Sequence, residues 1–312
     1  MSKPFFSVVV ATYNRAHVLR RALDSALAQE GAPNFEILVT DDGSTDETTE
    51  LLKTYEGRVV VLRQSNAGPA IARNLAIERA RGDYVCFLDS DDYWFPWTLA
   101  VYRDVIEKHR HPAFVVAAML ETDESRSENP EAGQEISTLQ SDCYFEHLGP
   151  FFMIGCPVMV VKHRVLEEAG CFPAKRMNCE DSDLCIRLGT APGFVRIFTP
   201  PTVAYVRHEE SLSLSGLDHI VTGVQHIIAE EDGGRYPGGE QWAKQRAMLV
   251  STHARSASVG LLKAGRIRDG LRLYRAGFRH HWCARRWKFL IAFPLMALTR
   301  SMGSGKNTCS QS

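Results

Sequence analysis

Over the first hundred residues, apolar and polar positions switch between the two-residue period of strands and the 3.6-residue period of helices. Phe5 to Ala11 is an unbroken β-branched and aromatic run, the pattern of a buried strand. Ala16 to Gln29 follows with Leu19, Leu23 and Leu27 four apart, which predicts an amphipathic helix. Phe35 to Thr40 predicts a second strand. Ser44 and Glu47 have the spacing of a capping box, opening a helix to about Tyr55. Arg58 to Arg63 reads as a third strand, Gly68 to Arg81 as a helix and Asp83 to Leu88 as a fourth strand. Strands separated by helices of this length need right-handed crossovers, so the pattern predicts an α/β fold with a mostly parallel sheet flanked by helices.

The later pattern is less regular. Pro96 to His109 predicts a helix and Phe114 to Leu120 a strand. Glu121 to Glu135 is an acidic, Ser-, Asn-, Pro- and Gly-containing stretch with the character of a solvated loop or lid. Phe151 to Val161 is apolar, and Val165 to Gly170 predicts a short helix ending at a glycine. After Ser213 the pattern is helical, with Gln241 to Lys263, Arg266 to Phe278 and an apolar run from Phe289 to Leu298.

Ligands of open α/β sheets bind outside the carboxyl ends of the strands. Three polar clusters fall there: Thr12-Tyr13-Asn14-Arg15, Asp41-Asp42-Gly43-Ser44 and Asp89-Ser90-Asp91-Asp92. Alternate carboxylates such as Asp89 and Asp91 can offer hard oxygen ligands to Mg²⁺ or Mn²⁺, which complete their shell with water and substrate phosphates. A solvated acidic turn has the same composition. A carboxylate of Asp41-Asp42 can accept from a base N–H or from ribose hydroxyls, while Ser44 or Asp46 can instead cap the next helix. Glu180, Asp181 and Asp183 likewise fit a helix start, where acids oppose the macrodipole.

The stretches SVVVATYNRA, VTDDGSTDET, NAGPAIARNLAIERARGDYVCFLDSDD, EDSDLCIRL and YVRHEESLS, taken in order, resemble the motifs of the family 2 glycosyltransferases, over residues 5 to about 213. The resemblance implies a GT-A fold and an inverting transferase that uses a nucleoside-diphosphate sugar, usually a UDP-sugar, with Mn²⁺ or Mg²⁺. Matched position by position, it implies nucleotide contacts at Thr12 and Tyr13 and a base contact at Asp42. Arg73 falls in the motif flanking the donor pocket, and Asp89 matches a nucleotide-sugar contact. Asp91 matches the metal ligand, Asp181 the catalytic base with Glu180 beside it, and His208 a histidine near the diphosphate or metal. In the last motif Tyr205-Val206-Arg207-His208 carries its arginine out of the family's register. The Gln-x-x-Arg-Trp motif of processive members is absent after Asp181, which favours single addition. The implied organisation is a glycosyltransferase domain over 1–215, with a donor half to about 120 and an acceptor half from about 121, followed by a helical extension over 216–312.

Composition sharpens this picture. With 45% hydrophobic and 23% charged residues, the chain has an ordinary globular make-up. No stretch of about twenty apolar residues is present to span a bilayer. Nothing near Met1 resembles a signal peptide, and the eight cysteines form no Cys-x-x-Cys pair, so reduced thiols in a cytoplasmic protein are expected. The net charge of −1 hides an asymmetry: Gln241 to Ser312 holds fourteen Lys and Arg against one acid, Asp269. Arg285, Arg286 and Lys288 flank Trp282, Trp287 and the Phe289–Leu298 run. That composition suits either a helix lying on an anionic membrane surface or packing on the protein's own core. No nucleic-acid-binding motif accompanies the charge. Expected partners are therefore a nucleotide-sugar donor and a glycan or lipid-linked acceptor. A catalytically silent sugar-nucleotide-binding protein and a sugar nucleotidyltransferase are the competing readings. The latter would carry a Gly-rich loop where Thr12 to Arg15 stand, and an oxidoreductase would need Gly-x-Gly-x-x-Gly.

Overall fold

A computed structural model describes residues 3–123, 130–131, 133–147, 154–207 and 216–304, with side chains as far as Arg300. The described chain divides into two compact units, 3–207 apart from 177–179, and 177–179 with 216–304.

The first unit opens as β1 (Phe6–Thr12), α1 (Ala16–Leu27), β2 (Phe35–Asp41), α2 (Thr48–Lys53), β3 (Val60–Arg63), α3 (Pro69–Ile77) and β4 (Tyr84–Phe87). It continues through β5 (Tyr93–Trp94), α4 (Thr98–Lys108), β6 (Phe114–Val116), β7 (Met119–Asp123), β8 (Ser137–Ser141), β9 (Met159–Lys162), α5 (His163–Glu168), α6 (Glu180–Arg187), β10 (Phe194–Thr199) and β11 (Val203–Arg207). Eight strands form one sheet in the order β3-β2-β1-β4-β9-β6-β10-β8. β1 lies parallel between β2 and β4, with Val8 opposite both Ile37 and Cys86. Its apolar run is explained by that position: Val8 and Val10 have no exposed surface because strands flank them and helices cover the faces.

The sheet is parallel through β3-β2-β1-β4 and again at β6-β10, but β9 runs antiparallel to both β4 and β6, and β8 antiparallel to β10. The single strand expected over Phe114–Leu120 is two. β6 joins the large sheet, whereas β7 pairs parallel with β11, which pairs antiparallel with β5, as a small three-stranded sheet. The acidic stretch expected to be loop from Glu121 begins as strand, since β7 runs to Asp123; residues 124–129 and 132 lie outside the described residues.

The capping box expected at Ser44 and Glu47 does not form. Helix α2 starts at Thr48, and the Thr48 amide donates to Asp46 Oδ1 at 3.0 Å. Ser44 is drawn elsewhere: its Oγ accepts from the Asn14 amide at 3.0 Å, and its own amide donates to Asp41 Oδ1 at 2.8 Å.

The second unit is helical: α7 (Leu217–Asp232), α8 (Ala243–Lys263), α9 (Ile267–Ala276), α10 (Phe278–Cys283) and α11 (Trp287–Ser304). A buried ion pair, Arg246 Nε to Glu231 Oε2 at 2.7 Å, joins α8 to α7. The C-terminal helices close over a cluster of Leu262, Tyr274, Phe293 and Ala297, with Phe289 and Leu290 packed against it. Tyr274 stacks on Phe293 at 4.9 Å and donates its hydroxyl to the Leu290 carbonyl at 2.8 Å. No described helix is long and apolar enough to cross a membrane.

Candidate active site

The ends of β1 and β2 are stapled together. Asn14, in the left-handed region at φ 51°, donates its amide to Ser44 Oγ and accepts from the Thr45 amide through Oδ1 at 2.8 Å. Tyr13 is left 42% exposed beside this turn, while Thr12 is buried and its Oγ1 finds no hydrogen-bond partner. Gly43 permits the close approach of the next loop. Its φ is +79°, and an added Cβ would lie 2.8 Å from the Asn66 amide nitrogen.

Asp42 is buried and fully engaged by that loop. Oδ1 accepts from Gln64 Nε2 at 2.7 Å and from the Ala67 amide at 2.8 Å, and Oδ2 accepts from the Gly68 amide at 2.8 Å. Gly68 precedes Pro69, the first residue of α3, so a carboxylate stands at the positive end of that helix. One turn further along α3, Arg73 is buried and divides its guanidinium between two elements. Nη2 donates to Asp89 at the end of β4 at 2.8 Å, and Nη1 to Glu180 at the start of α6 at 3.0 Å. The next residue clamps a loop: Asn74 Nδ2 donates to the Phe172 carbonyl and Asn74 Oδ1 accepts from the Phe172 amide. The Phe172 ring lies under the Arg73 guanidinium, 5.5 Å from centroid to Cζ.

The electrostatics of this group favour one cation among several acids. Burial opposes a charge on Arg73, but the carboxylates of Asp89 and Glu180 more than offset it and hold the guanidinium protonated. Burial raises Asp89; Arg73 pulls it down, while Asp91 and Glu180 push it up. Asp181, next in line on α6, accepts from the Ser182 amide at 2.7 Å. Burial and then the Glu180 charge push its carboxyl up to about 7, against the pull of Arg73. The side chain of Asp89 is 30% exposed and those of Arg73 and Glu180 are 9% and 14%, so the network opens to solvent on the Asp89 side.

Asp92 is buried, and its Oδ1 accepts from the Val206 amide at 3.0 Å, tying the end of β4 to β11. Burial and the charges of Asp89 and Asp91 push its carboxyl up to about 9, so it is neutral at pH 7, with Oδ2 buried and unpartnered. Asp91 is partly buried, and its carbonyl accepts from Arg21 Nη2 at 3.2 Å. Among the described residues, no three His, Cys, Asp or Glu side chains gather as a metal cage. Asp91, partly buried at the strand end, is an oxygen donor of the kind a hard cation takes together with phosphates and water.

Of the residues singled out in the sequence, Arg73, Asp89 and Glu180 are in direct contact, with Asp181 and Asp91 in electrostatic reach of them. Asp42 is tied to the 64–68 loop and reaches the group through α3, not by touching it. Thr12 and Tyr13 stand at the end of β1, joined to the β2 turn through Asn14. His208 lies outside the described residues, one position beyond the end of β11. Sequence reasoning passed over three neighbours: Asp92, the Asn74–Phe172 clamp, and Cys156, a buried thiol pushed up by burial beside Arg73. Asp92 alone had a signal, as the acid ending the Asp-Ser-Asp-Asp cluster. Asp183 is structural, buried and paired with Arg187 of its own helix at 2.7 Å.

Residues 7–168 match the family described as Glycosyl transferase family 2. An uncharacterized glycosyltransferase of Rickettsia felis is 31% identical over 189 residues, which cover 59% of this chain and 30% of that one. The putative teichuronic acid biosynthesis glycosyltransferase TuaG of Bacillus subtilis is 45% identical over 96 residues, covering 30% of this chain and 38% of TuaG. The chain thus spans about a third of the length of these curated relatives. In architecture it is similar to the Staphylococcus aureus TarS fragment 1–349 crystallised with UDP-GlcNAc, with TM-score 0.70, 18% identity, and coverage of 96% of this chain and 92% of that one. The match in fold extends over the helical C-terminal region and identifies the GT-A architecture. With the family's profile covering more than half the chain, this protein belongs to glycosyl transferase family 2.

Proposed function

We propose that the chain is an inverting glycosyltransferase moving one sugar at a time from a UDP-sugar to a hydroxyl of a glycan or lipid-linked acceptor. The observation that carries this reading is the Arg73 fork, which joins the carboxylate leaving β4 to the acidic start of α6. A nucleotide-contacting group and a base are thereby held on one rigid frame. TarS, 36% identical to this chain over 117 residues, is named a poly(ribitol-phosphate) β-N-acetylglucosaminyltransferase, and its fragment was crystallised with UDP and with UDP-GlcNAc. Both facts favour a uridine nucleotide as the donor.

In this reading residues to about 120 form the donor half of a domain ending near 215, and those beyond about 121 the acceptor half. Tyr13 packs on the base, Thr12 lines the same end of β1, and Asp42 holds the loop and helix that frame the nucleotide. Asp181 takes the proton of the acceptor hydroxyl as that oxygen attacks the anomeric carbon opposite the departing diphosphate, which inverts the centre. General-base assistance of this kind contributes about 10²–10⁴-fold in rate. Glu180 and Arg73 orient the base and set its charge, and Arg73 keeps Asp89 in place. Asp91, with His208 as a second donor, would hold Mn²⁺ or Mg²⁺, which when bound neutralises charge on the leaving diphosphate. Peripheral attachment to the cytoplasmic face of a membrane, through the C-terminal helices, completes the reading.

Release of free UDP from a panel of UDP-sugars with manganese and candidate acceptors tests the proposal. Acceptor-dependent release that Asp181→Asn abolishes, with donor binding retained, is the expected result. Donor binding without release on any acceptor, alike in wild type and variant, would instead identify a silent binding protein.

A further inference from the structure

The apolar run at the end of the second unit does two things at once. On α11, Phe289, Phe293 and Ala297 recur every fourth residue and face the buried cluster, with Phe293 at 0% and Ala297 at 3% exposure. Trp287, Ile291 and Leu295 recur at the same interval two positions out of step, which is about 200° around the helix. They are 45%, 69% and 57% exposed. The helix is therefore apolar on opposite faces, and among the described residues only one of them packs on the cluster.

The exposed face does not stop at the helix. Trp287 meets the ring of Trp282 edge-on at 4.7 Å, and Trp282 stacks on Phe278 at 6.4 Å, both on α10 and both exposed. A ridge from Phe278 to Leu295 results. Between Phe278 and Arg300 the chain has five bases, Arg279, Arg285, Arg286, Lys288 and Arg300, and no acid. Arg279 is within 3.6 Å of Asp232, and Arg286 donates to Thr252 Oγ1 at 2.6 Å, while Arg285 and Lys288 are exposed beside the two tryptophans. Next to the ridge, α10 also contributes Arg279 to a cavity of about 350 Å³. Lys244, Arg285 and Glu240 line it as well.

We infer that this ridge is a membrane-interface surface that seats in the headgroup region of an anionic phospholipid bilayer. The inference rests on the peripheral attachment proposed above and names its surface; it does not depend on the transfer chemistry. Exposed tryptophans beside aliphatic side chains, rimmed by arginine and lysine, match the interfacial zone, where apolar area and attraction to anionic lipid add. Charge decides against a second copy of this chain. Pairing the same face across a twofold axis would bring the exposed Arg285 and Lys288 of each copy together. The described run is too short to span a bilayer, so the helix lies on it.

The test is flotation of the full chain with vesicles. Equimolar phosphatidylglycerol and phosphatidylcholine should carry the protein, phosphatidylcholine alone should not, and the bound fraction should fall as salt is raised. The paired variants Trp282→Ser with Trp287→Ser, and Arg285→Glu with Lys288→Glu, should each lower partitioning about tenfold or more, at about 1 kcal/mol per basic residue for the charge pair. All four side chains are exposed, so the thermal midpoint should hold, which separates lost binding from lost folding. Wild-type protein that ignores the anionic vesicles, or variants that bind as well as wild type, would overturn the inference. So would a wild-type dimer in light scattering that Ile291→Glu dissociates without any vesicle binding. Acceptor-dependent UDP release is a separate readout, and its failure leaves the flotation result intact.

Discussion

Asp181 and its two charged neighbours make opposite demands on a single proton. The carboxyl is raised to about 7 from an ordinary 3.8, so ionising it costs more in the folded chain than in the unfolded one. A base must be ionised, so kcat/KM should rise with pH through about 7 and level off above it. Arg73 pulls that value down and Glu180 pushes it up. Arg73→Met should therefore move the acid limb to higher pH and Glu180→Gln to lower pH. A pH–rate profile of each checks the pair, and movement in the same direction would refute the assignment. For stability, a raised acid is a penalty absent near pH 4, growing as pH climbs and complete above about 7. Asp181→Asn should then raise the melting temperature at pH 8 and leave it unchanged near pH 4, by melting scans at both, while turnover drops about 10²–10⁴-fold. Arg73→Met on its own leaves Asp89 and Glu180 without their shared cation, and breaking such a pair costs about 3–5 kcal/mol. Adding Glu180→Gln should recover part of that loss in denaturant unfolding.

At the level of elements, the site depends on how α3 is aimed. Asp42 fixes the Ala67 and Gly68 amides, Pro69 starts the helix, and the first turn delivers Arg73 to two acids. Gly43 lets the β2 turn meet the backbone of residues 64–66. Gly43→Ala would force a Cβ into the Asn66 amide at a positive φ, and should cost more than about 1 kcal/mol and weaken donor binding. Calorimetric titration with UDP alongside a melting curve checks both effects. The elements around this helix were legible in sequence because each has one strong period: β1, β2 and β4 are short apolar runs between polar ends. The antiparallel β9 was legible as apolar but not in direction, since side-chain alternation is the same whichever way a strand runs. The split of Phe114–Leu120 into β6 and β7 was hidden for a similar reason. Nothing in a seven-residue run marks which residues pair with β9 and which with β11.

For the whole molecule, bound donor should stabilise the fold by mass action, about 2.7 kcal/mol at a hundred times the dissociation constant. Melting scans with UDP-sugar and manganese should show that gain, and EDTA should remove most of it if Asp91 and the diphosphate share the cation. The sequence by itself determined the α/β order, the strand ends that carry acids, the helical basic extension and the family, because periodicity and motif order are local properties of the chain. It named Arg73, Asp89 and Glu180 without showing that they touch, and it could not tell that Asp42 acts through a loop and a helix. Only the tertiary structure decided that, and among the described residues it also left one apolar face of α11 exposed. Residues more than a hundred positions apart become neighbours through the sheet and its crossovers, and burial then sets which carboxyl keeps its proton.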